Sequence, residues 1–290
     1  MMDSKMHDWM DQMKAGQRVL DLGAGAGSLK SFEYACSVVC VDSDKDAFAN
    51  PYAPQSVVRR VIALGESLPF APASFDLVLC HHALEHIANV SGTLQEISRV
   101  LKSTGRLFIS VPNGYGLCDG IYRYVFEGGD HLNRFRRAQL IGMVENAVGV
   151  RLTAWQKLYS SFAYLARVKD LDPSIIPQLA PRLRRFARLP ASVIAVLQGS
   201  LYVGTRIADR IAGVDWALYG WALYFERPRW EAERSSRAGT IREDPPFVNV
   251  CLHCGSGYAA NEITRRWKVL FRCPGCSRLG IYFPPFRNAR

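Results

Sequence analysis

Hydrophobic positions up to about residue 158 concentrate in short runs separated by stretches of helical periodicity. The runs Val19–Leu22, Val38–Val41, Val57–Ala63, Phe75–Cys80, Gly105–Val111 and Val150–Leu158 are rich in apolar and β-branched residues, interrupted by polar ones such as Asp21, Arg59, Arg60, Asp76 and Arg106. That pattern predicts strands buried on both faces, as in a parallel sheet covered by helices. Between them, Asp44–Ala49 predicts a short helix stopped by Pro51, a further helix ends at Ser98–Lys102, and Arg137–Ala147 predicts another. Ahead of the first strand, Met6, Trp9, Met10 and Met13 recur at helical spacing, which predicts an amphipathic helix packed on the domain that follows. Strands alternating with helices define an α/β, doubly wound arrangement.

Past residue 158 the pattern changes. The next apolar strand run, Trp216–Phe225, is delayed and is ended by Pro228. The stretch before it is cut by Pro173, Pro177, Pro181 and Pro190 into short helices, one carrying Arg182, Arg184, Arg185 and Arg188. The next helix, Ala191–Ala212, has Val193, Ile194, Val196, Leu197, Leu201, Ile207 and Ile211 clustered toward one side. Leu189–Thr205 carries no charge, but Pro190, Gln198, Gly199, Ser200 and Gly204 argue against a membrane-spanning helix. Two readings remain for residues 182–212: a helical lid over a cleft, or a basic amphipathic element lying on an anionic membrane surface. Residues 231–247 are polar and charged and read as a linker.

Charge sharpens this division. Residues 1–150 carry a net −2, residues 151–230 carry +7 and residues 231–290 carry +5, within a total of +10. An anionic partner is therefore expected at the C-terminal half. The N-terminus shows no basic segment leading into an apolar stretch, so a cytoplasmic protein is expected, with peripheral membrane attachment as the extension of the second reading. Cys36, Cys40, Cys80 and Cys118 then read as small buried hydrophobes.

The first strand opens directly into Asp21-Leu22-Gly23-Ala24-Gly25-Ala26-Gly27. Glycines at alternate positions allow a sharp turn with positive φ and a close approach of backbone to ligand. The spacing differs from the dinucleotide fingerprint Gly-x-Gly-x-x-Gly, and the acid two residues before the first glycine favours a cationic ligand over a pyrophosphate. The second strand ends in Asp42, followed by Ser43. Together Asp-x-Gly-x-Gly-x-Gly and Asp42 resemble the S-adenosylmethionine loop of class I methyltransferases. Downstream, Leu68-Pro69-Phe70, Ser74-Phe75-Asp76, the fourth strand, Ala83-Leu84-Glu85-His86 and Ser98-Arg99-Val100-Leu101-Lys102 are similar to the ubiquinone/menaquinone-type (type 11) subgroup.

The resemblance implies a Rossmann-like, seven-stranded sheet whose last strand is antiparallel, here preceded by the helical insertion. It divides the chain into a cofactor-binding core at 1–158, an insertion at 159–215, a last core strand within 216–230 and a linker at 231–247. It also implies that S-adenosyl-L-methionine is held by Asp21, Gly23, Ala24, Gly25, Gly27, Asp42, Ser43, Gly65, Glu66, Ser67 and His81, with the acid at Asp42 on the ribose hydroxyls. Where the subgroup often places an aspartate toward the adenine amine this chain has Leu64, which leaves that contact to backbone groups and Glu66.

Residues 248–290 hold a second motif. Cys251-x-x-Cys254 and Cys273-x-x-Cys276 have the spacing of two zinc knuckles, with Gly255 and Gly275 relaxing the turns. Four cysteines close a tetrahedron, so a structural rather than catalytic Zn²⁺ ribbon is expected. Between the knuckles, Trp267 and Phe271 interleave with Arg265, Arg266, Lys268 and Arg272, a composition suited either to nucleic acid or to packing on the parent domain.

Methyl transfer from a sulfonium depends mainly on alignment, and a hydroxyl acceptor gains from a general base. His82, at the end of the fourth strand, and His131, after the fifth, are the candidate bases. Cys80-His81-His82-Ala83 stands where enzymes methylating exocyclic or amide nitrogen typically carry Asn-Pro-Pro-Tyr. The sequence therefore favours oxygen or carbon in a small molecule, a glycan or a lipid-linked intermediate. The alternatives are an RNA methyltransferase gripping its substrate with the ribbon, or a non-catalytic cofactor-binding scaffold.

Overall fold

A computed structural model of the chain describes residues 4–25, 34–48, 58–126, 131–160, 162, 165 and 181–228, with short strands beyond. Gly27, the start of the helix expected near Ser28, and all four clustered cysteines lie outside the described residues.

The chain opens with α1 (Ser4–Asp11) and then builds β1 (Arg18–Leu22), β2 (Ser37–Asp42), β3 (Val58–Ile62) and β4 (Phe75–His81). Helix α2 (Val90–Val100) precedes β5 (Leu101–Pro112), and α3 (Leu117–Val125) and α4 (Arg137–Val148) lead to β6 (Arg151–Tyr159). Helices α5 (Pro181–Ala187) and α6 (Ala191–Ala212) separate β6 from β7 (Leu218–Glu226). The sheet order is β3-β2-β1-β4-β5-β7-β6-β8, where β8 is Arg242–Glu243. The first five strands run parallel, and β7 runs antiparallel between β5 and β6. One strand exceeds the seven expected: Arg242 and Glu243, inside the presumed linker, pair in parallel with Ala154 and Trp155 on the open edge of β6. An unpaired edge offers free backbone groups to any extended segment that reaches it.

Alternation along the strands sorts their side chains to the two faces. Leu20, Leu22, Val39, Val41, Val78 and Cys80 face one way, against Leu94 and Ile97 of α2 and Leu140 and Val144 of α4. Val19, Val38, Cys40, Leu77, Leu79, Phe108 and Tyr224 face the other, where Trp9, Met10 and Met13 cover them. A third cluster joins the insertion to α3: Ile194 and Tyr202 of α6 pack with Phe162, Leu165, Cys118 and Val125.

Local signals set the ends. The Asn89 side chain accepts a hydrogen bond from the Gly92 amide (2.9 Å) at the start of α2. Helix α4 stops at Gly149, whose φ of +74° suits a residue without Cβ. Helix α3 does not appear among the elements read from the sequence, because Pro112-Asn113-Gly114 reads as loop and masks the apolar positions Cys118, Ile121 and Val125 that follow.

The C-terminal segment contributes two small antiparallel units. Asn249–Val250 pairs with Gly257–Tyr258, and Arg265–Trp267, Leu270–Arg272 and Leu279–Ile281 form a three-stranded sheet.

Candidate active site

Parallel strands deliver their C-terminal ends to one edge of the sheet, and a crevice forms there. A cavity of about 600 Å³ occupies this position. One wall is the turn after β1 with the end of β2: Leu22, Gly23, Gly25, Val41, Asp42, Ser43 and Asp44. The facing wall comes from the turns after β3 and β4: Ala63, Leu64, Gly65 and Glu66, then His82, Ala83, His86, Ile87 and Ala88.

The glycines are needed where they stand. Gly23 has φ +67°, and a Cβ there would collide with the Ala83 Cβ, so β1 and β4 close over one another only with glycine. Gly25, at φ +54°, has open space on its Cβ side. The amides of Gly23 and Ala24 both donate to the Val41 carbonyl, at 2.8 and 3.0 Å, tying the turn to β2. The Gly25 amide donates to Asp42 Oδ2 (2.8 Å), and Asp42 Oδ1 accepts from the Asp44 amide (3.0 Å). Asp42 thus braces the turn while lining the cavity.

Of the residues expected to hold cofactor, Gly23, Gly25, Asp42, Ser43, Gly65 and Glu66 line the cavity. The others lie off it. Asp21 is fully buried beneath, beside the Cys40 thiol, which burial first and the Asp21 charge second push well above its ordinary pKa. Ala24 is buried. Ser67 is exposed, its amide donating to the Leu64 carbonyl. His81 turns its Nδ1 to Ser110 Oγ (2.7 Å). Leu22, Val41, Ala63 and Ile87 line the cavity without having been singled out for it in the sequence, since apolar residues at strand ends carry no chemical signature; His86, quoted in the sequence only as part of Ala83-Leu84-Glu85-His86, lines it too.

The end of β4 carries the acid–base groups. His82 has φ +51°, an unusual conformation for a residue other than glycine, and its amide donates to the Ser110 carbonyl (3.0 Å). A fifth of its side chain is exposed (19%), yet both ring nitrogens are covered and neither makes a hydrogen bond. Burial, with the neighbouring His131 and His86 charges adding to it, pushes its pKa down to about 3. His82 is therefore neutral near pH 7 and presents no ring nitrogen for proton transfer, which departs from the role expected of it.

The other candidate is differently placed. His131 Nδ1 lies 2.8 Å from Asp119 Oδ1, and Arg123 Nε donates to Asp119 Oδ2 (2.6 Å). Burial opposes ionisation of Asp119, but the hydrogen bonds from His131 and Arg123 prevail and hold its carboxyl below the usual range. An ionised carboxylate only accepts, so Nδ1 carries the proton and Nε2 is left as the acceptor. Tyr122 stacks on the imidazole at 4.8 Å, and Arg123 donates to the His131 carbonyl (3.0 Å).

Glu85 and Asn133 complete the site. Asn133 straps the loop carrying His131 to the 3₁₀ turn Leu84–His86: its amide donates to the Glu85 carbonyl (3.0 Å), and Nδ2 donates to the carbonyls of Leu84 (3.0 Å) and Ile87 (2.6 Å). The Glu85 side chain is 1% exposed, with Oε1 at 3.4 Å from His82 Nδ1. Burial raises its pKa to about 7. Asp119 and Asn133 were not legible in advance, because their significance is in the partners the fold brings to them.

The sheet order and the antiparallel β7 are those of the Rossmann-like fold of methyltransferases of known structure. Within it, residues 20–109 match the family model described as a methyltransferase domain. The chain is 34% identical over 157 residues to an uncharacterized methyltransferase, YcgJ, of Bacillus subtilis, covering 52% of this chain and 58% of that one. The crystal structure of YcgJ superposes with a TM-score of 0.52 at 18% identity, over 78% of this chain and 97% of that one. A ubiquinone biosynthesis O-methyltransferase of Dechloromonas aromatica is 34% identical over 115 residues, 37% of this chain and 50% of that one. A Haemonchus contortus phosphoethanolamine N-methyltransferase 2, in complex with phosphomonomethylethanolamine and S-adenosylhomocysteine, shares the fold at TM-score 0.52 and 18% identity, over 78% of this chain and 52% of that one. The chain spans about half the length of the curated relatives it matches.

Proposed function

We propose that the protein is an S-adenosyl-L-methionine-dependent methyltransferase acting on oxygen or carbon of a small molecule, glycan or lipid-linked intermediate. The observation that carries this reading is the single cavity wall on which Asp42, Gly23 and Gly25 meet, opposite the turn bearing His82 and His86. Its volume of about 600 Å³ is in the range of small-molecule sites. The donor set fits this cofactor: an acid at a strand end for vicinal hydroxyls and backbone that a ligand can approach closely. When bound, the cofactor supplies an electrophilic methyl on a sulfonium. The chain's own residues then orient the acceptor and take its proton, and His131, with its tautomer set by Asp119, is the group suited to that task.

A lipid-linked acceptor is supported by the insertion. Helix α6 buries Gln198, Thr205 and Arg206 while leaving Val196 67% and Ile211 80% exposed. By length and composition it is long and apolar enough to cross a membrane, but Ile194 and Tyr202 pack it against α3. An outward apolar face beside the arginines of α5 fits the surface of an anionic bilayer. The spacing of Cys251, Cys254, Cys273 and Cys276 remains the support for one structural zinc in the C-terminal segment.

Calorimetric titration with S-adenosylmethionine and S-adenosylhomocysteine tests the cofactor reading. Binding in the micromolar range, about −8 kcal/mol, is expected. Asp42→Asn keeps an oxygen for the Gly25 amide but loses the charge, and is expected to weaken both ligands about tenfold without changing the melt. Affinity equal to that of the parent would remove Asp42 from the site.

A further inference from the structure

The ligand atoms of Glu85, His86 and His131 all lie within 4.8 Å of one another, although 46 residues separate His131 from Glu85 in the chain. Neither cofactor binding nor methyl alignment requires such a convergence. From this geometry we infer that the three residues form a binding site for a divalent transition-metal ion, on the acceptor side of the cavity.

Three further features support it. Glu85 Oε2 is buried and has no hydrogen-bond partner, although a side chain 1% exposed ordinarily satisfies both oxygens. His131 Nδ1 is engaged by Asp119, which leaves Nε2 as a lone-pair donor; a carboxylate behind a histidine is the arrangement that orients imidazole ligands on metals. Asp119 is itself held by Arg123 at 2.6 Å, and Asn133 fixes the His131 loop on the Glu85–His86 turn, so the donors are organised without an ion. Bonds of about 2.1 Å place tetrahedral ligands about 3.4 Å apart. Glu85 is fixed by burial and His131 by Asp119, so the remaining closure falls to the exposed imidazole of His86.

Two imidazoles and one carboxylate suit Mn²⁺, Fe²⁺, Co²⁺ or Zn²⁺ rather than Mg²⁺ or Ca²⁺, and leave coordination positions open. His86 also lines the cavity, so one of those positions is open to an acceptor oxygen; with an ion on its Nε2, His131 no longer takes the acceptor's proton, and the ion would instead acidify that oxygen. That role rests on the methyltransferase reading; the metal site itself does not.

The test is titration of the full-length protein with Mn²⁺, followed by electron paramagnetic resonance, and with Co²⁺, followed by visible absorption, without cofactor. One Mn²⁺ or Co²⁺ per chain is expected outside the cysteine cluster, and Cys251→Ser leaves Mn²⁺ binding unchanged because a hard ion avoids thiolates. His86→Ala, an exposed substitution that spares the core, weakens binding at least tenfold, as does Glu85→Gln. Asp119→Asn weakens it by about 10–100-fold through His131. Failure to bind either ion overturns the inference, and so does binding that His86→Ala and Glu85→Gln leave unchanged. Cofactor affinity measured on the same preparations reports separately on the methyltransferase reading.

Discussion

Glu85 is costly to keep ionised, because its side chain is buried and Oε2 makes no hydrogen bond, a penalty that the nearby His86 and His131 offset only in part. Its folded pKa of about 7 lies above the ordinary glutamate value of about 4.3. Between those values the folded protein holds a proton that the unfolded chain releases, so stability falls as pH rises through this window. The full loss, roughly 4 kcal/mol, is reached above about pH 7. Glu85→Gln carries no charge at any pH. With a chelator present, urea melts are expected to show it more stable than the parent near pH 8, with the advantage gone near pH 4. A constant difference across that range would show that the carboxylate is not the cause. A bound divalent ion would relieve the same penalty, so adding Mn²⁺ to the parent should mimic the substitution.

At the scale of elements, the strands were the most legible part of the chain. Val38–Val41 could be read because consecutive apolar residues have few uses other than a doubly covered strand, and Val57–Ala63 because β-branched residues flank its two arginines. Helix α6 was read with its bounds intact, but its orientation was not. Its periodicity shows an apolar side and a mixed side, and apolar sides normally turn inward; here Ile194 and Tyr202 pack inward together with Gln198, Thr205 and Arg206. Arg206 is accommodated because its guanidinium lies over the rings of Tyr159 (4.2 Å) and Tyr202 (5.6 Å), partners that the sequence does not place together. The outward residues give the membrane reading its test. Co-sedimentation with vesicles containing anionic phospholipid is expected, with little on neutral vesicles, and Val196→Asp with Ile211→Asp should reduce the bound fraction several-fold. Equal binding to neutral and anionic vesicles would count against the arginines of α5.

For the whole molecule, the catalytic and C-terminal parts are expected to respond separately to chemistry. Cys273→Ser is expected to lower the zinc content by about one ion per chain while S-adenosylmethionine affinity stays within about twofold, since a structural zinc stabilises the segment whose ligands it gathers. Loss of cofactor binding together with zinc would mean that the ribbon supports the core. The candidate site divides the same way in legibility. The cavity wall carrying Gly23, Gly25 and Asp42 is local in sequence, two turns after two strands, whereas the Glu85, Asp119 and His131 constellation exists only once residues from three separate segments are folded together.

The position of β7 has a consequence for how the protein is made. Because β7 lies between β5 and β6 rather than beyond them, the sheet cannot be completed in chain order. A nascent chain emerging through Tyr159 has β5 and β6 but not the strand that joins them, and both keep open edges while the insertion is synthesised. Those edges close only when Leu218–Glu226 emerges and pairs with both neighbours. Synthesis therefore passes through an interval in which β1 to β5 are largely assembled, while a gap one strand wide must be kept from every other extended peptide in the cell.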